Sequence, residues 1–285
     1  MSSLDNIKKR IASIETTKKI TNAMKLVATS NLKKQKELYQ NTRDYYKNFH
    51  EIFLDLIREK GTQEINSSKS NKTVWIIITS SLGLCGAFNS QIVKKLVENF
   101  NKETDEIILI GKKGRLLLKS RGLIDNVKIY INIDPKDIDY SICELLIDEF
   151  RKIHSEGSFK KINLIYTKFI NSLSFEPKIT QIIPIDEEKL ARKAIDIYDN
   201  YMTYEPSAEE MIKKLLPQFL VVVLHGAILE STVSENSSRR NSMENASKNA
   251  SDLKDDLLNQ YNAKRQSKIT QEINEIIGGN IDENK

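Results

Sequence analysis

The first 60 residues of the chain read MSSLDNIKKRIASIETTKKITNAMKLVATSNLKKQKELYQNTRDYYKNFHEIFLDLIREK and contain neither glycine nor proline. The stretch between Gly226 and Gly278 lacks both residues as well. Glycine costs a helix interior about 1 kcal/mol and proline about 3 kcal/mol, so both ends are predicted to form long helices. A helix over residues 3–58 would be roughly 80 Å long at 1.5 Å per residue. One small domain cannot bury such a helix, which must therefore pair with another helix, enter a partner, or both.

Apolar residues at both ends recur with the spacing of a coiled coil. In the N-terminal helix they lie three and four residues apart, at Leu4, Ile7, Ile11 and Ile14. Beyond Ile14 the pattern blurs, because Lys18 occupies the next expected position. A new phase begins further on, at Ile20, Met24 and Val27. The C-terminal end repeats the spacing at Met243, Ala246, Ala250, Leu253 and Leu257, and then at Tyr261, Ile269, Ile273 and Ile276. We expect the two termini to form one antiparallel coiled coil.

The middle of the chain alternates short apolar strands with helices. Strands are predicted at residues 74–79, 107–110, 127–133 and 161–166, and helices at 88–101, 112–120 and 137–154. Continuous apolar strands between helices favour a mainly parallel sheet that is covered on both faces. Residues 177–184 are predicted to lie at a sheet edge, where proline is tolerated. The predicted fold class is thus α/β plus long helices: an antiparallel coiled coil with an inserted Rossmann-like, mainly parallel α/β domain.

Three domains follow from these boundaries: an N-terminal coiled-coil helix at 1–60, an α/β globular domain at 61–205 and a C-terminal coiled-coil helix at 206–285. The polar segment 61–73 is predicted to be a linker. Ser207 is a good helix cap with Glu210 at the third position, and Pro217 is expected to kink the helix that follows.

Composition and charge restrict the class of protein. No stretch approaches the ~18 to 20 apolar residues that span a bilayer, and residues 219–224 are better interpreted as buried core. The N-terminus enters a helical pattern directly, so we expect no leader segment and a prokaryote-like context. The net charge is +5, but residues 1–40 alone carry nine Lys or Arg against three acids. Such a basic helix can bind nucleic acid, acidic lipid or an acidic protein surface, or can simply be solvated.

No pattern of catalytic, cofactor-binding or metal-binding residues emerges. The glycine loop at 79–88 has neither the G-x-G-x-x-G nor the G-x-x-x-x-G-K-[ST] spacing of phosphate-binding loops, and is interpreted as a tight turn between strand and helix. His50 and His154 are interpreted as surface residues and His225 as a core residue with a hydrogen-bond partner. Two cysteines, Cys85 and Cys143, are interpreted as small buried thiols. We therefore predict no catalytic residue, no cofactor and no metal, and hence a protein that is not an enzyme by itself.

Three segments resemble the gamma subunit of the F-type ATP synthase. Residues 18–30, KKITNAMKLVATS, are similar to that family's Q-K-I-T-K-A-M-K-M-V-A-A-S. Residues 79–89, TSSLGLCGAFN, are similar to T-S-D-R-G-L-C-G-G-L-N. The third segment begins at Glu205-Pro206, passes Pro217 and Glu230-Ser231, and ends in NAKRQSKITQEI at 262–273, similar to N-x-A-R-Q-x-x-I-T-Q-E-L. Residues 90–200 match only in their alternating pattern.

The resemblance implies a non-catalytic central stalk, or rotor, that couples proton flow through the membrane c-ring to ATP synthesis in the beta subunits and regulates ATPase activity. It implies alpha, beta and epsilon subunits and the c-ring as partners, no nucleic acid, and membrane association only through the complex. The location implied is peripheral, on the cytoplasmic side of a bacterial inner (plasma) membrane. Matching residues imply beta-subunit contacts at Met24, Lys25, Arg265, Gln266, Thr270 and Glu272, and contacts with the c-ring or epsilon at Tyr204 and Glu205.

The chain departs from the family pattern at two places. Ser81-Leu82 replace the usual Asp-Arg, which puts polar contacts through those two side chains in doubt. Residues 235–240, ENSSRR, stand where the family tends to show E-H-A-A-R-M, and this greater polarity is expected to loosen packing there.

Two other functions remain open at this point. A basic coiled-coil module could bind nucleic acid or acidic lipid, although residues 1–40 lack the interleaved aromatic residues that stack on bases. Alternatively, the α/β domain could be an enzyme that uses its glycine loop.

Overall fold

The computed structural model describes residues 3–60, 70–153, 159–184, 205 and 207–282. Its helices are α1 (Ser3–Lys60), α2 (Phe88–Val97), α3 (Lys112–Ser120), α4 (Tyr140–Ile153) and α5 (Ala208–Asp282). Its strands are β1 (Thr73–Ile78), β2 (Glu106–Ile110), β3 (Val127–Ile131), β4 (Lys161–Phe169) and β5 (Phe175–Ile183). Short 3-10 turns occupy Ile124–Asn126 and Pro135–Asp137.

The two long helices predicted from the missing glycines and prolines are confirmed. Helix α5 begins where Ser207 accepts a hydrogen bond from the backbone N–H of Glu210 at 3.3 Å, as the capping pattern predicted. The helix continues through Pro217 and Gly226. The predicted kink at Pro217 stays a prediction.

The five strands form one sheet in the order β3-β2-β1-β4-β5. The first four are parallel to their neighbours, and β5 is antiparallel to β4. This confirms the mainly parallel sheet and the edge position of β5, which accommodates Pro177.

Both faces of the central strands β1, β2 and β4 are buried, which explains why these strands are almost continuously apolar. Side chains alternate along β1, so Trp75 and Ile77 contribute to one core cluster, whereas Ile76 and Ile78 contribute to the other. The first cluster includes α2, and the second includes α4 together with residues 53–57 of α1 and 219–228 of α5.

The apolar part of α5 is core, as predicted for residues 219–224. By length and composition the helix contains an 18-residue window that could cross a membrane, and it is the one such helix in the described part of the chain. However, more than half of that window is buried inside the protein. Phe219, Leu224 and Ile228 belong to the same cluster as the sheet.

The chain divides into two compact units, which differ from the predicted domains. One unit comprises residues 1–28 with 240–285, and the other comprises residues 29–239. The first contains the paired ends of α1 and α5; the second contains the sheet and the remaining parts of both helices. The division at 60 and 205 stays a prediction.

Candidate functional site on the paired terminal helices

In the unit of residues 1–28 and 240–285, α1 and α5 run antiparallel. Among the described residues, the polar contacts that join them include Glu15 with Lys254 at 3.4 Å, Lys18 with Ser251 at 3.0 Å, Asn22 with Ser247 at 3.1 Å, and Lys25 with Glu244 at 4.0 Å. Each step forward along α1 is matched by an equal step backward along α5. The predicted antiparallel coiled coil is confirmed.

The buried stripe of α1 keeps one phase, contrary to the predicted interruption after Ile14. It continues at three- and four-residue steps through Lys18, Thr21, Lys25 and Ala28. Ile20 and Val27, which were expected to begin a new phase, are 55% and 61% exposed. Polar residues can occupy the stripe because the partner helix supplies hydrogen bonds: the Lys18 ammonium donates to Ser251 Oγ.

The residues predicted to form the buried stripe of α5 were only partly correct. Met243, Ala250 and Leu257 are buried as expected. Leu253 is instead 46% exposed, and Ser247 is buried in the stripe with its hydroxyl donating to Asn22 Oδ1. The apolar pattern alone therefore points to Leu253, whereas the neighbouring Lys254 makes the contact with α1.

The predicted contact residues of α1 lie at the side of this stripe. Met24 and Lys25 are half-buried, and the Lys25 ammonium lies 4.0 Å from Glu244. The neighbouring Leu26 and Val27 are 68% and 61% exposed. Sequence analysis missed this exposed apolar pair, because it assigned Val27 to the buried stripe.

The predicted contact residues of α5 lie on a solvent-exposed segment of the helix, residues 262–275. Every residue from 262 to 275 is exposed, including Arg265, Gln266, Thr270 and Glu272. Thr270 donates to the Gln266 carbonyl of its own helix at 3.0 Å, and Glu272 pairs with Lys268 at 3.4 Å. The apolar members of the segment, Ile269 and Ile273, are 46% and 50% exposed on one face.

The predicted contact residues of α1 and α5 thus lie in two separate places along the paired helices. Lys25 lies opposite Glu244, and Arg265 is about 30 Å further along the same helix at 1.5 Å per residue. Of the two residues predicted to contact the c-ring or epsilon, Glu205 is exposed and Tyr204 lies outside the described residues.

In the unit of residues 29–239, segment 235–239 is buried, so the expected loosening of its packing is wrong. All five side chains are at most 7% exposed. Ser238 donates to the Cys85 carbonyl at 2.6 Å, and Arg239 binds Glu235 and two carbonyls of the glycine loop. Polarity is compatible with tight packing here because most of these groups have hydrogen-bond partners.

The predicted environments of the histidines were correct for His225 but not for His50. His225 is buried and shares a hydrogen bond between its Nδ1 and the Tyr46 hydroxyl, which confirms it as a core residue. Burial lowers the pKa of His225, an effect that Asp139 opposes, and raises the pKa of Tyr46 to about 12. His50 is half-buried against Phe219, with ring centroids 5.5 Å apart, so its assignment to the surface is wrong. His154 lies outside the described residues.

Cys85 and Cys143 are both free and buried, as predicted. Burial raises the pKa of Cys143 to about 12. Within the described residues no group of three or more His, Cys, Asp or Glu could hold a metal ion.

A family model described as ATP synthase matches residues 3–280. The chain is also 44% identical over 285 residues to the ATP synthase gamma chain of Malacoplasma penetrans (strain HF-2), covering 98% of this chain and 99% of that one. The chain belongs to the ATP synthase gamma-chain family. It is 37% identical to the gamma chain of Ureaplasma parvum serovar 3, covering 98% of this chain and 100% of that one.

Solved structures agree with this family. The central stalk and c-ring structure of Tetrahymena thermophila mitochondrial ATP synthase contains a chain that is 26% identical, with a TM-score of 0.63 over 80% of this chain and 99% of that one. A chain of Euglena gracilis mitochondrial ATP synthase shares the fold, with a TM-score of 0.72, 19% identity, and 97% and 93% coverage.

Membership in the gamma-chain family decides between the functions that the sequence left open. The gamma subunit is a non-catalytic part of ATP synthase, so the chain is not an enzyme by itself. The reading as a module for nucleic acid or acidic lipid gains no support from these relatives.

Proposed function

We propose that this chain is the central-stalk (rotor) subunit of a proton-translocating F-type ATP synthase. In this role it couples proton flow through the c-ring to ATP synthesis in the beta subunits. The similarity of 98% of the chain to gamma chains carries the proposal. The complex is membrane-bound, and we place this subunit peripherally on the cytoplasmic side of a bacterial plasma membrane.

The uncovered surface of the paired helices suits this function. A helix that pairs with one neighbour and remains exposed from 262 to 275 has a face available for other subunits. In a rotor, each angle offers different contacts to the surrounding subunits, and those contacts bias one subunit's conformational equilibrium as a ligand would. A mostly polar exposed surface fits contacts that must form and break.

The residue roles form part of the proposal. Beta-subunit contacts are assigned to Met24, Lys25, Arg265, Gln266, Thr270 and Glu272, and contacts with the c-ring or epsilon to Tyr204 and Glu205. Alpha and beta subunits of the head, epsilon and the c-ring are the proposed partners. The local excess of basic residues in 1–40 favours an acidic surface on the beta subunit opposite α1.

Reconstitution tests the function. Alpha and beta subunits are combined with the c-ring and the remaining membrane subunits in vesicles, with or without this chain, and ATP-driven proton pumping is measured. We expect pumping only when the chain is present, and impaired coupling when residues 260–285 are deleted. Failure of the full-length chain to associate with alpha and beta subunits would refute the proposal.

Two glutamines of the solvent-exposed segment 262–275 allow a matched test of the proposed contacts. Gln266 and Gln271 are both exposed but lie about 140° apart around the helix at 100° per residue. Gln266→Ala should lower proton pumping per ATP hydrolysed, because it removes a contact with the beta subunit. Gln271→Ala should leave pumping unchanged. Equal effects of the two substitutions would remove Gln266 from the proposed site.

A further inference from the structure

A buried ion pair on α5 has no role in the function described so far. Glu235 and Arg239 lie one helical turn apart, are 5% and 7% exposed, and approach to 2.6 Å. Removing two charges from water is unfavourable unless they are paired and their remaining hydrogen bonds are formed. Arg239 Nη1 also faces Asn236 Oδ1 at 3.4 Å.

The guanidinium reaches beyond its own helix to the glycine loop, of which residues 79–87 lie between β1 and α2. Arg239 Nε donates to the Gly83 carbonyl at 3.2 Å, and Nη2 donates to the Leu82 carbonyl at 3.3 Å. The neighbouring Ser238 hydroxyl donates to the Cys85 carbonyl at 2.6 Å. Three carbonyls of one short loop are therefore held by two consecutive residues of α5. The planar fork of arginine is suited to bridging two such acceptors.

The loop conformation needs this support. Leu84 has a φ of +62°, a left-handed conformation that a branched residue seldom adopts. Such strain persists only where surrounding contacts determine the backbone. Leu82 and Leu84 are each 58% exposed in this loop, whereas Cys85 is only 2% exposed.

We propose that Glu235 and Arg239 are positioning residues that fix the glycine loop to α5, and that rotor coupling depends on the loop being held in this way. Arg239 contacts the loop directly. Glu235 neutralises the guanidinium and orients it, and has no hydrogen bond of its own to the loop among those described. The dependence of rotor coupling on the loop rests on the proposed function. The positioning of the loop by Arg239 and Glu235 does not.

The two native cysteines provide a direct assay of the loop. Cys85 lies in the loop, and Cys143 is fully buried in α4 within the other core cluster. The full-length chain is treated with a thiol reagent under native conditions, and the labelling rate of each cysteine is measured by peptide mass spectrometry. Local opening of the loop exposes Cys85 alone, whereas global unfolding exposes both cysteines.

Arg239→Gln should increase the labelling rate of Cys85 about tenfold or more while leaving Cys143 protected, because local opening governs access. Arg121→Gln, at an exposed arginine of the same unit, is the control and should change neither rate. Arg239→Lys, which keeps the charge but loses the fork, should give an intermediate rate. Unchanged protection of Cys85 in Arg239→Gln, or parallel exposure of Cys143, would overturn the positioning role.

A charge exchange separates positioning from simple ion pairing. The double variant Glu235→Arg/Arg239→Glu keeps the i, i+4 pair but removes the guanidinium from the position that faces Leu82 and Gly83. We expect Cys85 to be labelled as fast as in Arg239→Gln. Protection equal to that of the unmodified chain would show that the pair acts only through its charges, and would overturn the proposal.

The reconstituted complex tests whether rotor coupling depends on the glycine loop being held to α5. Arg239→Gln should assemble but pump fewer protons per ATP hydrolysed than the unmodified chain, and Arg121→Gln should pump normally. Normal pumping by Arg239→Gln with an exposed Cys85 would refute the dependence of coupling on the loop. If the unmodified chain supports no pumping, the proposed function fails instead, and the Cys85 assay still decides the positioning role.

Discussion

The buried side chain of Phe53, which stacks on Phe219, should contribute a large part of the stability of the unit formed by residues 29–239. Phe53 is fully buried, and its ring lies 4.3 Å from that of Phe219 at an interplanar angle of 21°. Truncating a buried phenylalanine to alanine costs about 3–5 kcal/mol through lost transfer energy and the cavity left behind. A whole domain is stable by only about 5–15 kcal/mol. Phe53→Ala should therefore destabilise this unit by about 3–5 kcal/mol.

The adjacent residue provides the control. Ile52 is 53% exposed on the same helix. Ile52→Ala removes little buried surface and introduces a better helix former, so its effect should stay within about 0.5 kcal/mol. Both variants are measured in the full-length chain by urea unfolding. The fluorescence of Trp75, which is 4% exposed in β1, reports this unit. A loss below about 1 kcal/mol for Phe53→Ala would refute the assigned packing.

A double-mutant cycle isolates the ring contact from burial. The free energies of unfolding of Phe53→Ala, Phe219→Ala and the double variant should give a coupling of about 0.5–1.5 kcal/mol, the range measured for aromatic pairs. Additive effects would mean that the two rings do not interact.

Two further predictions concern single side chains. Because burial lowers the pKa of His225, the folded chain binds fewer protons there than the unfolded chain, and its stability should fall as the pH drops below about 6.5. His225→Asn can still form a hydrogen bond with Tyr46 but does not titrate, so unfolding at pH 7 and pH 5 should show a weaker pH dependence; an unchanged dependence would contradict the assignment. Gly111→Ala places a Cβ against the Thr79 carbonyl oxygen at a φ of +91° and should lower the melting temperature clearly more than Gly122→Ala, where φ is +66° but the Cβ meets only the Lys102 ammonium at an ordinary contact distance of 3.7 Å. Equal melting temperatures would contradict this packing.

Local sequence features were sufficient for most of the fold. Both ends form long helices because they contain almost no glycine or proline, the two residues with the highest free-energy cost in a helix interior. The apolar runs form buried parallel strands because a sheet covered on both faces needs no alternation. Pro177 indicated an edge strand because an edge tolerates a missing donor. The family resemblance, carried by the two ends and the glycine loop, also indicated the functional class.

Polar residues account for most of the errors at the candidate site. Lys18 was treated as a break in the buried stripe of α1, yet it lies in that stripe and donates to Ser251. Residues 235–239 were expected to pack loosely, yet they are buried. In both cases the missing information is the partner, since a polar group can be buried once another element supplies its hydrogen bond.

The sequence alone thus determined that both ends are helical, that the middle is a mainly parallel sheet, and which family the chain resembles. Tertiary structure decided the phase of the helix pairing and the contact of Arg239 with Gly83. The physical reason is range: helix and strand preferences depend on residues a few positions apart, whereas the partners of Lys18 and Arg239 lie far away along the chain and are brought close only by folding.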